Sequence, residues 1–568
     1  MKYSHLAELY EKIGDTPGRL DKTEILAEFL KKIKHEDKKI IYLLRGRIFP
    51  DYDSRETGIS EQLAIKALSK ATGVQEKEIV KLWRKIGDLG KVASSLPKKQ
   101  STLSSKLLDV EKVLENLGKL PELQGKGTVE KKMILIAELF ANSSHLEAKY
   151  IMRTLLGDLR IGLGDGVLRD AIVSSCLDKE NKQDYVLVQE AYDLATDFAL
   201  VFDKACKGRT ALSNIELEPG KPVKVMLFPK VTSIEEAFEV VGKPAFIEFK
   251  YDGFRMMINK DEQGNIKIFT RRLDEVTKQF PEVVEYIKKY VQGKTFILDG
   301  EAVGFDLKTK KYKQFQDISQ RIKRKYDINS LAAKLPIELN IFDIIYYNGK
   351  NLIKTPFIAR RELIEKIIKE NKFKIVLARQ IITDDKEKAE EFYKQALKEG
   401  QEGVMIKGLN APYKPGARVG YGVKFKPSGN EFDLVITGAE YGTGKRAGWL
   451  TSFDISCQDS QGKLLEIGKV STGLKEIESQ GVSFIELTNK LKPLIKKTEG
   501  RHVFVKPEIV IAVTYQNIQV SPSYASSFAL RFPRFTALRN DRGIHDIASL
   551  DEIKKEHDKQ TRNIQGLG

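Results

Sequence analysis

From residue 1 to about 215, apolar positions recur every three or four residues, the spacing of one buried helix face. Over 22–35 that face carries Ile25, Leu26, Phe29, Leu30 and Ile33, with Asp21 placed as N-cap and Glu24 three residues on. Similar stripes run over 61–68, 79–86, 107–117 and 133–140. Ser144-His145-Leu146-Glu147 has the spacing of a capping box and predicts a helix carrying Tyr150, Ile151 and Leu155. No fixed period repeats, so the stripes predict an irregular helical domain and not a solenoid. Gly157-Asp158-Leu159-Arg160-Ile161-Gly162-Leu163-Gly164 breaks the pattern. Its glycines permit close backbone approach, and Arg160 with the preceding Arg153 could pair with phosphates. An ordinary loop between two helices accounts for the same residues.

The texture changes over 217–227, where Pro219, Gly220 and Pro222 mark a linker. Beyond it, strands and helices alternate to about 426. The patterns predict strands over 266–270, 295–298, 339–346, 403–406 and 422–425, and helices over 234–240, 281–290, 359–369 and 387–399. That describes an α+β or mixed α/β domain. From 427 onward short strands dominate, over 433–438, 450–457, 464–470, 503–504 and 508–515, with one helix over 483–492. About five strands with an inserted helix fit a small Greek-key barrel of the OB type, with a β-sandwich as the competing fold. The expected organisation is multidomain: all-α over 1–216, α+β over 217–426 and all-β over 427–568.

Charge adds a partner class. The chain holds 96 Lys and Arg against 79 Asp and Glu, a net charge of +17. Such an excess favours a polyanion, because cations placed on phosphates release condensed counterions. A Lys- and Glu-rich surface of the thermophile kind is the competing account. No apolar run is long enough to predict a membrane span, and the first residues lack a signal-peptide core. Only Cys176, Cys206 and Cys457 occur, too few for a disulfide framework or a four-cysteine zinc site, and the six histidines have no ligand spacing. These features point to an intracellular protein and away from His-based chemistry or structural zinc.

One stretch carries candidate chemistry. Glu248-Phe249-Lys250-Tyr251-Asp252-Gly253-Phe254-Arg255 follows the apolar run Pro244-Ala245-Phe246-Ile247, a short strand entering a Gly-marked turn. A lysine there would ordinarily sit on a solvated face. To act as a nucleophile, an amine that titrates near ~10.4 must be desolvated or set among other cations. Arg255, Arg271, Lys407, Lys424 and Lys426 all fall at or beside predicted strand ends. A cation cluster is also a polyphosphate site, and Asp252, Glu301 and Glu402 offer hard oxygen donors to Mg²⁺. The set suits attack by lysine on a nucleotide phosphate.

Taken in order, these segments resemble the motifs of ATP-dependent DNA ligases of the archaeal and eukaryotic replicative type, within the covalent nucleotidyltransferase superfamily. The octapeptide resembles the first motif, which implies Lys250 as the adenylated residue, Glu248 toward the adenine, Asp252 near the metal and Arg255 on ribose or phosphate. Phe269-Thr270-Arg271-Arg272 is similar to the ribose- and phosphate-contacting motif. Leu298-Asp299-Gly300-Glu301-Ala302-Val303 resembles the third motif with Glu301 its acid, and Ile341-Phe342-Asp343 the element whose aromatic stacks on adenine. Glu402-Gly403-Val404-Met405-Ile406-Lys407 resembles the fourth and Val423-Lys424-Phe425-Lys426 the fifth, with Arg418 where the family carries an upstream arginine. Arg531-Phe532-Pro533-Arg534-Phe535 resembles the sixth, whose arginines, here Arg531 and Arg534, orient the pyrophosphate. Phe315 and Phe532 match positions that press on the minor groove beside a nick. One departure stands out: many relatives carry an aromatic residue two positions before the first lysine of the fifth motif, where this chain has Gly422, with Tyr421 beside it.

The resemblance covers essentially the whole chain. It implies sealing of nicks in duplex DNA through a lysine–AMP and an adenylated 5′-phosphate, in replication, repair and recombination. ATP and Mg²⁺ are the implied cofactors, with Mn²⁺ as a substitute. Nicked double-stranded DNA is the implied partner, a sliding clamp a plausible one, and the working unit a monomer in an archaeal cell. An RNA ligase or capping-type nucleotidyltransferase shares the lysine chemistry but leaves the helical first 215 residues unexplained. A non-catalytic DNA-binding scaffold explains the charge but not Lys250 with both Glu301 and Glu402.

Overall fold

The apolar stripes of the N-terminal part meet in one continuous core that runs from Tyr3 to Ile215. The computed structural model describes all residues except 54, 98–107, 124, 126, 314–317, 319–320, 323–326, 418–419, 428–430, 444–445, 447, 478–480 and 566–568. Helices Glu61–Thr72, Glu76–Ile86 and Thr128–Asn142 contain their predicted stripes and run beyond them, whereas the stripe expected over 107–117 becomes helix only from Val110, in Val110–Lys119. Ser144 and Glu147 form a reciprocal capping box at the start of His145–Leu155. The helix expected over 22–35 instead spans Arg19–Leu30, with Gly18 at its N-cap. Asp21 therefore lies inside the first turn, where its charge suits the helix dipole but its side chain caps nothing. Cys176 ends helix Asp165–Cys176 and Cys206 caps Phe198–Ala205, and the two are joined in a disulfide that their spacing had not suggested.

The middle region builds two sheets. Its strands are β1 (Lys230–Val231), β2 (Ala245–Lys250), β3 (Phe254–Lys260), β4 (Ile266–Thr270), β5 (Phe296–Gly304), β6 (Ile337–Tyr347), β7 (Lys350–Asn351), β8 (Ile375–Leu377), β9 (Gln380–Thr383), β10 (Gly403–Gly408) and β11 (Gly422–Phe425). One sheet has the order β1-β11-β10-β2-β9, the other β4-β3-β5-β6-β7 with β8 paired to β6. Antiparallel pairing dominates, broken by parallel β1–β11 and β6–β8. Helices Ile234–Val241, Pro281–Tyr290, Phe357–Ile367 and Lys386–Lys398 match the predicted ones to within two residues. The octapeptide spans the end of β2, a turn and the start of β3, so its two halves belong to different sheets.

The C-terminal region is strand-rich. β12 (Glu431–Tyr441) pairs with β13 (Leu450–Gln458), β16 (His502–Val505) and β17 (Val510–Thr514), so it serves both halves of one curled sheet. β14 (Leu464–Val470), β15 (Ile495–Glu499) and β20 (Arg534–Leu538) complete it, while β18 (Ile518–Val520) and β19 (Phe528–Leu530) form a separate hairpin. Helix Phe484–Leu491 is inserted with Ser483 as its N-cap, and Leu550–Gln565 ends the described chain.

Candidate active site

The floor of the site follows from strand register. Side chains two apart on a strand share a face. Pairing sets Lys230, Lys424, Met405 and Glu248 in one row across β1, β11, β10 and β2, with Lys250 opposite Gly403 in the next. These residues line one cavity of about 1890 Å³, except Gly403. Arg255, Glu301 and Phe342 of the second sheet line it too, as do Arg271, Lys407, Lys426 and, from the C-terminal region, Arg531, Phe532 and Arg534. Residues more than 280 positions apart thus share one space, as the ordered motifs required.

Lys250 ends β2 with its Nζ 2.6 Å from Glu402 Oε2. The Glu402 N–H donates to the Lys250 carbonyl at 2.9 Å, which places the acid beside the amine through the main chain. Lys426 stands 3.7 Å from the same oxygen. Burial pushes the Glu402 carboxyl up, but Lys250, Lys426 and Arg531 outweigh it and hold the group below its ordinary range. Lys426 is shifted down by burial and by Lys250, against the pull of Glu402. Glu301 behaves oppositely to Glu402. Burial raises its carboxyl to about 8, with Lys250 and Arg255 opposing.

Deeper in the cavity, Lys407 Nζ lies 2.5 Å from Glu248 Oε1, and both side chains are buried. Glu248 Oε2 is buried with no hydrogen-bond partner. The Phe342 ring centre stands 4.8 Å from Lys407 Nζ and 5.3 Å from the Arg255 guanidinium. Arg255 reaches the cavity wall with its guanidinium already engaged. Its fork donates to Asp299 at 2.8 and 2.5 Å, and its Nη1 to the Met226 carbonyl at 2.9 Å. Tyr413 donates to Asp299 at 2.8 Å and accepts from the Met226 N–H at 3.2 Å, closing the network. Asp299 and Tyr413 were not marked as functional by the sequence, although Asp299 lies within the third motif. Their signal is a charge left unmatched in sequence, since Arg255 and Asp299 are 44 residues apart.

Asp252, expected near a metal, is instead buried against Arg531, with oxygen–nitrogen distances of 3.2 and 3.3 Å. Arg534 opens β20 at the cavity edge, and Phe532 is 67% exposed with a φ of 51°. Among the described residues no three His, Cys, Asp or Glu side chains converge to hold an ion. Glu301 and Glu402, part-buried on the wall of this cavity, are the carboxyl groups that could offer oxygen to Mg²⁺.

The expected DNA contacts divide. Arg153 is buried, donating to Asp88 at 2.6 Å and to the Leu159 carbonyl at 3.2 Å, so it holds the 157–164 loop and is not placed to meet a phosphate. Arg160, with a φ of 56°, is one-third exposed and rests on Asp158 and Gly87. Phe315 and Arg418 lie outside the described residues.

Three family models match in order: DNA ligase N terminus over 2–173, ATP dependent DNA ligase domain over 225–426 and ATP dependent DNA ligase C terminal region over 446–542. The chain is similar to the DNA ligase of Nanoarchaeum equitans, 44% identical over 99% of this chain and all of the relative. It is also similar to that of Thermococcus fumicolans, 41% identical over 99% of each. A solved structure titled Pmar-Lig_Pre. shares the fold, with a TM-score of 0.57 and 19% identity over 94% of this chain and 99% of that one. With three family models matched in order and near-complete coverage by such relatives, the chain belongs to the ATP-dependent DNA ligases.

Proposed function

We propose that this chain seals nicks in duplex DNA in three steps. Lys250 attacks the α-phosphorus of ATP; a nitrogen–phosphorus bond forms, pyrophosphate leaves and the amine gives up a proton. AMP then passes to the 5′-phosphate at the nick, freeing Lys250. Last, the 3′-hydroxyl attacks that phosphate, AMP departs and the backbone is joined. The carrying observation is Lys250 at a strand end, 2.6 Å from Glu402, in a cavity that also holds Phe342 and Glu248.

Base recognition finds support in Glu248. Its unpartnered Oε2 is an acceptor suited to the exocyclic amine of adenine, whereas guanine would turn a second acceptor toward it. Burial raises the Glu248 carboxyl above its ordinary range; Lys407 opposes that shift and fixes the group's orientation. Mg²⁺ held by Glu301 and Glu402 would neutralise charge on the phosphate under attack. Arg531, Arg534 and Lys426 place further positive charge where pyrophosphate would leave. We assign the helical residues 1–216 and the strand-rich residues 427–568, in an OB-type fold, to gripping the duplex from either side of 217–426, the monomer acting inside the cell.

The test is direct. Incubated with α-labelled ATP and Mg²⁺, the protein becomes covalently labelled and joins a nicked duplex, and Lys250→Ala takes no label. Label retained by that variant would remove Lys250 from its role; a labelled wild type that joins no nick would keep the nucleotide chemistry and reject the ligase.

A further inference from the structure

Gly422, the departure from the family's fifth motif, has a physical cause in this fold. It begins β11 with a φ outside the left-handed region, so the main chain there does not demand glycine. What excludes a side chain is a ring from elsewhere. A Cβ at 422 would stand 2.6, 2.9 and 3.0 Å from Phe228 Cε1, Cδ1 and Cζ, where carbon atoms in contact stand ~3.5–4.0 Å apart. Register explains how the ring arrives. β1 runs parallel to β11 with Lys230 opposite Lys424, and the Lys424 N–H donates to the Pro229 carbonyl at 2.9 Å. Phe228, two residues before Lys230, is thereby set beside Gly422 on the cavity face. Lys407 is the β10 partner of Gly422 on its other side. Its Nζ lies 5.9 Å from the Phe228 ring centre and 4.8 Å from that of Phe342. Both rings line the same cavity as Glu248.

We propose that Phe228 is the second aromatic wall of the nucleobase slot, meeting the base on the Gly422 side while Phe342 stacks on it from the other sheet. The inference rests on the reading of this cavity as the nucleotide site. It moves part of base recognition from β11 to the junction between the helical and middle domains, where Leu227 is already tied to Ala417 by a 3.0 Å hydrogen bond. A ring face attracts any purine, whereas Glu248 reads the base edge. Phe228 therefore sets the affinity for nucleotide, and Glu248 sets the preference between adenine and guanine.

The experiment follows the rate of Lys250 labelling on the full chain as labelled ATP, and separately labelled GTP, is varied. Phe228→Leu keeps an apolar group of similar bulk and removes the ring face. It raises half-saturating ATP about tenfold, in line with the loss of one base–aromatic stack. Its maximal labelling rate stays within about twofold of wild type, the signature of binding lost equally from ground and transition states. The ATP-to-GTP preference stays unchanged. Phe228→Ala combined with Gly422→Phe returns a ring to the slot from β11 and recovers most of the affinity that Phe228→Ala alone loses. Half-saturation by Phe228→Leu within about twofold of wild type overturns the inference, as does a double variant no better than Phe228→Ala. A wild type that takes no label from ATP overturns the nucleotide reading and this inference with it; a labelled wild type with Phe228→Leu unchanged overturns this inference alone.

Discussion

Glu301 and Arg153 show how a single side chain's surroundings decide what it can do. The folded protein keeps a proton on Glu301 up to about 8, because burial outweighs the pull of Lys250 and Arg255, while the unfolded chain gives it up near 4.5. The stabilisation from that proton is complete below the unfolded value and is lost as pH rises through the folded one. In protein free of nucleotide and metal, the guanidinium midpoint should therefore fall from about pH 5 to 8 by a component that Glu301→Gln removes. Parallel midpoint curves for the two proteins would show that Glu301 is ionised throughout. Arg153 matches a phosphate ligand by composition and a structural cation by geometry, since Asp88 and the Leu159 carbonyl already hold it. Arg153→Ala should cost roughly 3–5 kcal/mol of stability, the usual toll of leaving a buried charge unpaired. Binding to nicked duplex, measured well below the unfolding temperature, should stay near wild type; a large loss of affinity in a stable variant would restore Arg153 to the DNA surface.

Among the elements, helix Phe357–Ile367 owes its seat to one buried cation. Arg360 is fully buried, its fork on Asp343 at 2.7 and 3.0 Å and its Nη1 on the carbonyls of Ala411 and Thr355. Asp343 follows Phe342 on β6, so the pair fixes the strand that carries the ring proposed to stack on the base. Arg360→Met should destabilise the protein by roughly 3–5 kcal/mol, and adding Asp343→Asn should recover part of that loss. Simple additivity of the two changes in chemical denaturation would deny the pair this role. Periodicity made most helices legible, as well as β4, β11 and β14, because one buried face stamps a spacing on the residues. It did not reveal β15, whose exposed Lys496, Lys497 and Glu499 carry no apolar alternation, nor β3, whose buried run from Met256 to Ile258 has no alternation to detect. Local spacing also could not foresee pairings such as Arg255 with Asp299, or Cys176 with Cys206, since those partners meet only after distant elements pack. Motif order supplied what periodicity lacked at the site, naming Lys250, Glu402 and Arg531 as companions; what Arg531 would touch there was left to the fold.

At the scale of the whole molecule, that contact decides which step of the reaction this arrangement serves. Arg531 belongs to the C-terminal region and Asp252 to the β2–β3 turn, yet they pair at 3.2 Å, and Lys426 reaches Gln516 at 3.4 Å beside them. The strand-rich region therefore closes the cavity mouth over Lys250, with Arg534 at its edge. Cations so placed can stabilise pyrophosphate as it leaves. On the proposed reaction the same closure would bar a DNA end from the lysine-bound AMP, so adenylation and sealing are expected to use different domain positions, and Arg531 should matter to the first far more than to the last. Arg531→Ala should slow Lys250 labelling by about 10²-fold, the scale of one lost charge-stabilising donor. Joining of a nick that already carries a 5′-AMP should fall only a few-fold, because no pyrophosphate leaves in that step. Small-angle scattering of the variant without DNA should report a larger radius of gyration, since the Arg531–Asp252 ion pair across the cleft is removed. Equal losses in labelling and in joining the pre-adenylated nick would place Arg531 in the general architecture of the site and separate it from the leaving group.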